Sequence, residues 1–244
     1  QRIKALFTSS KKRRKFDTRE FFSSILVALI IAILIRSFIF EPFRIPSGSM
    51  YPTLKTGDVL IVNKFSYGYS RHSLPWSVPI IPHRIFYTPP KRGDVIVVKV
   101  PEHPKRFFIK RLIGLPGDTV QMIRGNLYIN GKSVERKYLG SAEADKHVKY
   151  LNYITEYQET LPNNVTYKTW SLEKVRDQSQ HPQTTDLFTI PEDNFFFIGD
   201  NRDNSADSRD AASLGLITKD QLLGKASFIV LSLDSFNRFF KNVK

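Results

Sequence analysis

A chain of 244 residues with 41% hydrophobic content is long enough for one sizeable domain or two small ones. The lack of cysteine excludes disulfides, zinc–thiolate sites and a cysteine nucleophile. The formal charge of +14 invites a nucleic-acid reading, but nine Lys/Arg against two Asp/Glu fall within residues 1–40, so half of the excess sits in one sixth of the chain.

Most of that charge is the cluster Lys11-Lys12-Arg13-Arg14-Lys15. It precedes Phe21–Ile35, a stretch without charge that ends in ILVALIIAILI, and after Arg36 the apolar character resumes to Phe40. A basic cluster before an apolar run is the positive-inside signature of a membrane segment. Twenty helical residues at about 1.5 Å each span about 30 Å, the hydrocarbon thickness of a bilayer. Arg36, near one end, can snorkel to the headgroups. Residues 1–20 thus read as a basic cytoplasmic segment and 21–40 as a single transmembrane anchor, with everything after residue 41 on the far side. A cleavable signal peptide is the competing reading. Its nearest small-x-small site, Ser47-Gly48-Ser49, lies too far beyond Ile35. A nucleic-acid arm is the other reading of the basic cluster; the anchor is preferred, and no nucleic-acid partner is expected.

From Val59 onward the pattern is β. Val59–Val62, Val95–Val98, Leu127–Ile129, Phe195–Ile198 and Phe228–Leu231 are short β-branched or aromatic runs, many bounded by turn residues. Asn130-Gly131 predicts a tight hairpin. The expectation is a mainly β protein of short, antiparallel, coiled strands, with residues 41–137 and 186–244 forming the principal domain. Residues 138–185 are polar and weakly patterned and read as a peripheral inserted subdomain. Residues 69–90 form a second insertion, rich in proline and apolar residues including Trp76, Val78, Ile80 and Ile81. Tryptophan is favoured at membrane interfaces, so this loop is a candidate bilayer contact; packing on the domain's own sheet is the alternative.

No G-x-S-x-G elbow is present, and Gly125 to Ser133 only imitates a phosphate-binding loop. The five histidines show no metal-ligand spacing, so no metal is expected and a Ser-His-Asp triad has no support. What stands out is Pro46-Ser47-Gly48-Ser49-Met50 just after the anchor, and Lys110 inside the apolar run Phe107-Phe108-Ile109. From the residues alone two readings stay open. Small polar residues around a glycine can expose a reactive hydroxyl. Equally, Ser47 and Ser49 can be turn residues and Lys110 an edge-strand charge.

Four segments together resemble the bacterial type I signal peptidases (leader peptidases), peptidase family S26: PSGSMYPTL at 46–54, GDVLIVNKFSYG at 57–68, RGDVIVVKVP with FIKRLIGLPGD between 92 and 118, and GDNRDNSADSR at 199–209. They cover about 50 residues of the expected catalytic part, in the family's order. The resemblance implies a signal-peptidase/LexA-like coiled antiparallel β domain with one N-terminal transmembrane helix. It implies a membrane serine endopeptidase that removes signal peptides from exported preproteins after an A-x-A-like motif, through an acyl-enzyme and without a cofactor. Ser49 matches the nucleophile and Lys110 the general base. Ser47 matches a side chain of the oxyanion hole, with the Ser49 N–H, and Ser205 the residue that orients the lysine. Arg111, Asp200, Asp207 and Arg209 match structural charges near the site. Phe43, Ile45, Pro46, Met50, Leu60, Val62, Phe108 and Ile109 match the walls of the substrate pockets; at position 108 some relatives carry tyrosine, so any role of that hydroxyl is absent here. The implied location is the bacterial cytoplasmic (inner) membrane, N-terminus inside and catalytic domain on the periplasmic side. Signal peptides, the lipid bilayer and the nearby export translocon are the implied partners. A self-cleaving LexA-like repressor would need a DNA-binding helix-turn-helix where this chain has the apolar run. A dead protease fold acting as a tethered binding module is disfavoured by the presence of both Ser49 and Lys110.

Overall fold

The structure, a computed structural model, describes residues 18–74, 77–78, 80–100, 107–141, 154–172, 183–233 and 236–243. Two compact units divide it, residues 1–36 and 37–244. Helix α1 (Thr18–Phe38) carries Glu20 in its first turn and Arg36 in its last, signs that suit the helix dipole. Its 21 residues reach about 32 Å at about 1.5 Å per residue. Phe22, Leu26, Ile30 and Leu34 are all exposed, so α1 is long and apolar enough to cross a membrane. The helix stops two residues before the expected end of the anchor, and Phe40 already belongs to a strand.

The strands follow as β1 (Phe40–Arg44), β2 (Val59–Asn63), β3 (Val95–Lys99), β4 (Phe107–Gly114), β5 (Thr119–Ile123), β6 (Asn126–Ile129) and β7 (Lys132–Ser133). Then come β8 (Glu135–Ser141), β9 (Thr155–Thr160), β10 (Thr166–Ser171), β11 (Phe188–Thr189), β12 (Asn194–Ile198), β13 (Ile217–Thr218) and β14 (Leu222–Leu231). The second unit is therefore mainly β, as expected. One seven-stranded sheet runs β1-β2-β14-β3-β4-β12-β13, with a three-stranded sheet β10-β9-β8 and a four-stranded sheet β11-β5-β6-β7. Every pairing between these strands is antiparallel.

The expected apolar runs fall on β2, β3, β6, β12 and the end of β14. Strand β14 starts six residues before its apolar run because Lys225 and Ser227 interrupt the pattern, while pairing to β2 and β3 on both sides holds it in the sheet. Strand β3 reads Val-Ile-Val-Val without polar alternation because both of its faces are covered. Val95 and Val97 pack with Ile45, Met50, Leu54, Leu60, Val62 and Ile109. Ile96 and Val98 pack with Leu112, Phe195 and Phe197 on the opposite face. The Asn130-Gly131 turn joins β6 to β7 with both residues at positive φ, 52° and 73°, as such a two-residue hairpin requires.

Two other segments bear on the site. Within residues 138–185, strand β10 is bound to the segment after β12: the Trp170 N–H donates to the Asp200 carbonyl and the Arg202 N–H to the Trp170 carbonyl, both at 2.9 Å. The loop 69–90 is tied down by Arg84, whose guanidinium donates to the carbonyls of Tyr67, Gly68, Asp220 and Leu222. Ile80 and Phe86 on this loop are 74% and 81% exposed. Trp76 lies outside the described residues.

Candidate active site

Strand β1 is an edge of the large sheet, and the chain leaves it at Ile45 to return at Asp58. Two backbone hydrogen bonds close the base of this excursion, Ile45 N–H to the Asp58 carbonyl at 2.8 Å and Gly57 N–H to the Ile45 carbonyl at 2.9 Å. Met50, Tyr51 and Leu54 are buried and anchor it from within. Tyr51 stacks on Trp170 with centroids 5.1 Å apart and planes 9° from parallel. Ser47 is left exposed and Ser49 half-buried at the rim. Asn201 grips this turn from the opposite side: its N–H donates to the Ser49 carbonyl at 3.1 Å and its side-chain amide to the Gly48 carbonyl at 3.0 Å.

Lys110 lies on β4, opposite Ile96 of β3, and only 4% of it is exposed. Its Nζ lies 2.6 Å from Ser49 Oγ and donates to the Ile109 carbonyl at 3.0 Å. Ser47 Oγ is 3.5 Å from Ser49 Oγ. Among the described residues the Ser49 N–H is not taken by any acceptor. Strand alternation turns the next residue, Arg111, to the other face. There its guanidinium makes a bidentate pair with Asp200 at 2.8 and 2.6 Å, donates to the Gly93 carbonyl at 2.8 Å and lies 4.1 Å from the Tyr167 ring centre. Thr53 Oγ1 closes that cluster, donating to Asp200 at 2.5 Å.

The segment after β12 supplies the rest. Asp207, fully buried, accepts from the Gly199 N–H at 3.0 Å and from Arg209 at 2.8 and 2.9 Å. Ser205 is buried in the same segment, two residues before Asp207. Gly199 must be glycine here: a Cβ would overlap Ser205 Oγ and come within 2.5 Å of the Ser49 carbonyl.

Burial is the largest influence on the Lys110 amine and lowers its pKa. Asp207 and Asp200 pull it back up, Arg209 lowers it again, and the balance falls from 10.5 to about 8. Burial pushes Asp207 upward, but Arg209, the Gly199 N–H and Ser205 outweigh it and hold the carboxylate ionised. A serine hydroxyl thus touches a buried amine whose neutral form is accessible near physiological pH, which is the arrangement needed for nucleophilic attack on an amide.

These groups open on a cleft of about 680 Å³, lined by Phe43, Ile45, Pro46, Met50, Phe108 and Ile109 together with Ser47, Ser49 and Lys110. Phe107, Arg44, Asn204 and Ala206 also line it. Phe43 and Phe107 meet edge to face at 5.2 Å across it.

The chain matches the family described as signal peptidase, peptidase S26, over residues 18–231. It belongs to that signal peptidase family. Signal peptidase I of Rickettsia felis is 39% identical over 228 residues, covering 92% of this chain and 84% of that one. Signal peptidase I of Rickettsia typhi is 40% identical over 215 residues, covering 86% and 79%. A crystal structure of a signal peptidase I from Enterococcus faecalis V583 aligns with 27% identity over 57% of this chain and 98% of that one, at a TM-score of 0.32. As a member of the signal peptidase family the chain is a serine protease that removes signal peptides from preproteins, and with helix α1 it is a membrane-anchored protein.

Within this signal peptidase, the residues expected at the cleft fall into three groups. Ser47, Ser49, Lys110, Phe43, Ile45, Pro46, Met50, Phe108 and Ile109 line it. Leu60 and Val62 do not; both are fully buried in the core that packs behind Ile45, Met50 and Ile109. Arg111, Asp200, Asp207, Arg209 and Ser205 stand behind the lining, and the two hydrogen bonds of the Lys110 amine go to Ser49 and to the Ile109 carbonyl. Sequence reasoning missed Asn201 and Gly199, although both lie inside the GDNRDNSADSR segment, where an amide beside a glycine was the available signal. It also missed Thr53 and Tyr167, whose roles depend on contacts that no local pattern announces.

Proposed function

We propose that Ser49 and Lys110 form the catalytic dyad of this signal peptidase. The observation that carries the reading is the 2.6 Å contact between Ser49 Oγ and a buried Lys110 Nζ. The neutral amine takes the hydroxyl proton as Ser49 Oγ attacks the scissile carbonyl carbon. The Ser49 N–H and the Ser47 hydroxyl stabilise the tetrahedral oxyanion. The amine returns the proton to the leaving nitrogen, and the mature protein departs. Lys110 then takes a proton from the water that attacks the Ser49 acyl ester and returns it to Ser49 Oγ as the signal peptide is released.

The substrate lies extended in the cleft. Strand β1 has one sheet neighbour, β2, and β12 pairs with β4 only from Arg111 onward, so residues 43–44 and 107–110 offer strand edges to a peptide. Side chains of such a peptide alternate, and the apolar part of the cleft lined by Phe43, Ile45, Met50 and Ile109 accepts small ones. That is the logic of an A-x-A-like motif. The chain sits in the bacterial cytoplasmic membrane with its basic N-terminus inside and the residues after 41 on the periplasmic side, where preproteins emerge from the export translocon. Exposed Ile80 and Phe86 support a further contact between loop 69–90 and the lipid surface.

The test is incubation of a purified preprotein carrying an A-x-A motif with the wild type and with Ser49→Ala. The wild type should release a mature protein whose new N-terminus follows the motif, and Ser49→Ala should release none. Cleavage by a folded Ser49→Ala chain would overturn the assignment.

A further inference from the structure

Among the described residues that line the cleft, two carry charge, Lys110 and Arg44. The others are apolar or uncharged, and Arg44 is exposed at the end of β1. Among the described residues the Arg44 guanidinium makes no ion pair and no side-chain hydrogen bond. The nearby acid on the same strand, Glu41, is already engaged at 3.1 Å by Lys64. Among the described residues, Lys99 lies over the Phe107 ring at 5.6 Å and does not line the cleft.

Position along the strand decides what Arg44 can meet. Residues 43 and 45 lie on one side of the β1 line, Phe43 against the core cluster and Ile45 within it. Residue 44 lies on the other side. A substrate strand laid against this edge obeys the same alternation, with its side chains on the same side as those directly opposite. The two small residues of the motif face the cleft lining on the Phe43 and Ile45 side, so the residue between them projects toward the Arg44 side.

We propose that Arg44 is a specificity-determining residue that selects for an acidic side chain, and against a basic one, at the middle position of the A-x-A motif. The inference rests on the extended substrate placement proposed above. Arg44 is the exposed end of β1 on that side, so charge is the property this cleft can read there. The guanidinium is a forked donor suited to a carboxylate and carries its charge at all physiological pH values.

Two peptides test it, identical except for Ala-Glu-Ala against Ala-Lys-Ala before the cleaved bond, with kcat/KM measured for the full-length chain in detergent. An exposed ion pair is worth up to about fivefold, so at low salt the wild type should favour the glutamate peptide by about three- to tenfold. Arg44→Lys should keep most of the preference. Arg44→Gln should bring the ratio close to one, and Arg44→Glu should invert it. Near 1 M salt, where the screening length falls to about 3 Å, the wild-type ratio should also approach one. A merely structural role for Arg44 would change both peptides together and leave the ratio alone. Equal cleavage of both peptides by the wild type, or a ratio unchanged in Arg44→Glu, would overturn the inference while leaving the dyad intact. Failure of the wild type to cut either peptide after the motif would instead count against the substrate placement itself.

Discussion

At the scale of single residues, the account turns on the state of one amine. With the folded pKa lowered to about 8, the neutral base gains population as pH rises. Preprotein cleavage, as kcat/KM, should rise close to tenfold per pH unit below about 8 and level off above it; a rising limb centred near 10 would show that burial does not depress Lys110. The same shift has a sign in stability. Between about 8 and 10.5 the unfolded chain holds a proton on Lys110 that the folded chain has released, so stability from this group increases with pH across that window. At neutral pH the buried ammonium costs roughly 3 kcal/mol, and Lys110→Met should melt higher than the wild type there, with the difference shrinking as pH rises from about 8 and lost only above about 10.5. Ser47, 3.5 Å from Ser49 Oγ, should matter less than Ser49. Ser47→Ala should lose about 10²–10³ in kcat and remain measurable, and wild-type rates would show that backbone donors suffice. As residues, Ser49 and Lys110 left two readings open, and the resemblance of their segments to the family is what singled them out. Asn201 was not legible, since nothing local says which carbonyls an amide will hold.

At the scale of elements, the segment after β12 is held between the Ser49 turn and the β9–β10 hairpin. Glu159 of β9 pairs bidentately with Arg202 at 2.8 and 2.5 Å, and both are buried. Tyr167 of β10 donates to Glu159 at 2.8 Å and accepts from Arg202 at 3.1 Å. One residue back from Arg202, Asn201 carries this support to the Ser49 carbonyl. Glu159→Ala would strand a buried guanidinium, so it should cost about 3–5 kcal/mol by chemical denaturation and lower cleavage although Glu159 does not line the cleft. An unchanged denaturation midpoint would show that β9 does not brace this segment. The large sheet was readable from its apolar runs. The hairpin was not, because Thr155–Thr160 and Thr166–Ser171 are mostly polar apart from Tyr157, Tyr167 and Trp170, and ion pairing and backbone bonds join those aromatic contacts in holding them.

At the scale of the whole molecule, composition separates a lipid-facing segment from a catalytic one. The apolar helix and its basic flank were plain in sequence because bilayer thickness dictates a length that few soluble helices reach. A second lipid contact is a separate expectation from exposed Ile80 and Phe86. A chain truncated before Ser37 should float with anionic vesicles and do so less after Ile80→Ser and Phe86→Ser; no flotation of the folded truncation would leave α1 as the sole membrane contact. The central claim is chemical, and Lys110→Arg tests it most directly. The substitution keeps a long cationic side chain but replaces a titratable amine by a guanidinium that stays protonated. Measured on a purified preprotein with the fold verified by circular dichroism, Lys110→Arg should release no mature protein at any pH from 7 to 10; substantial turnover would contradict the role of Lys110 as the base.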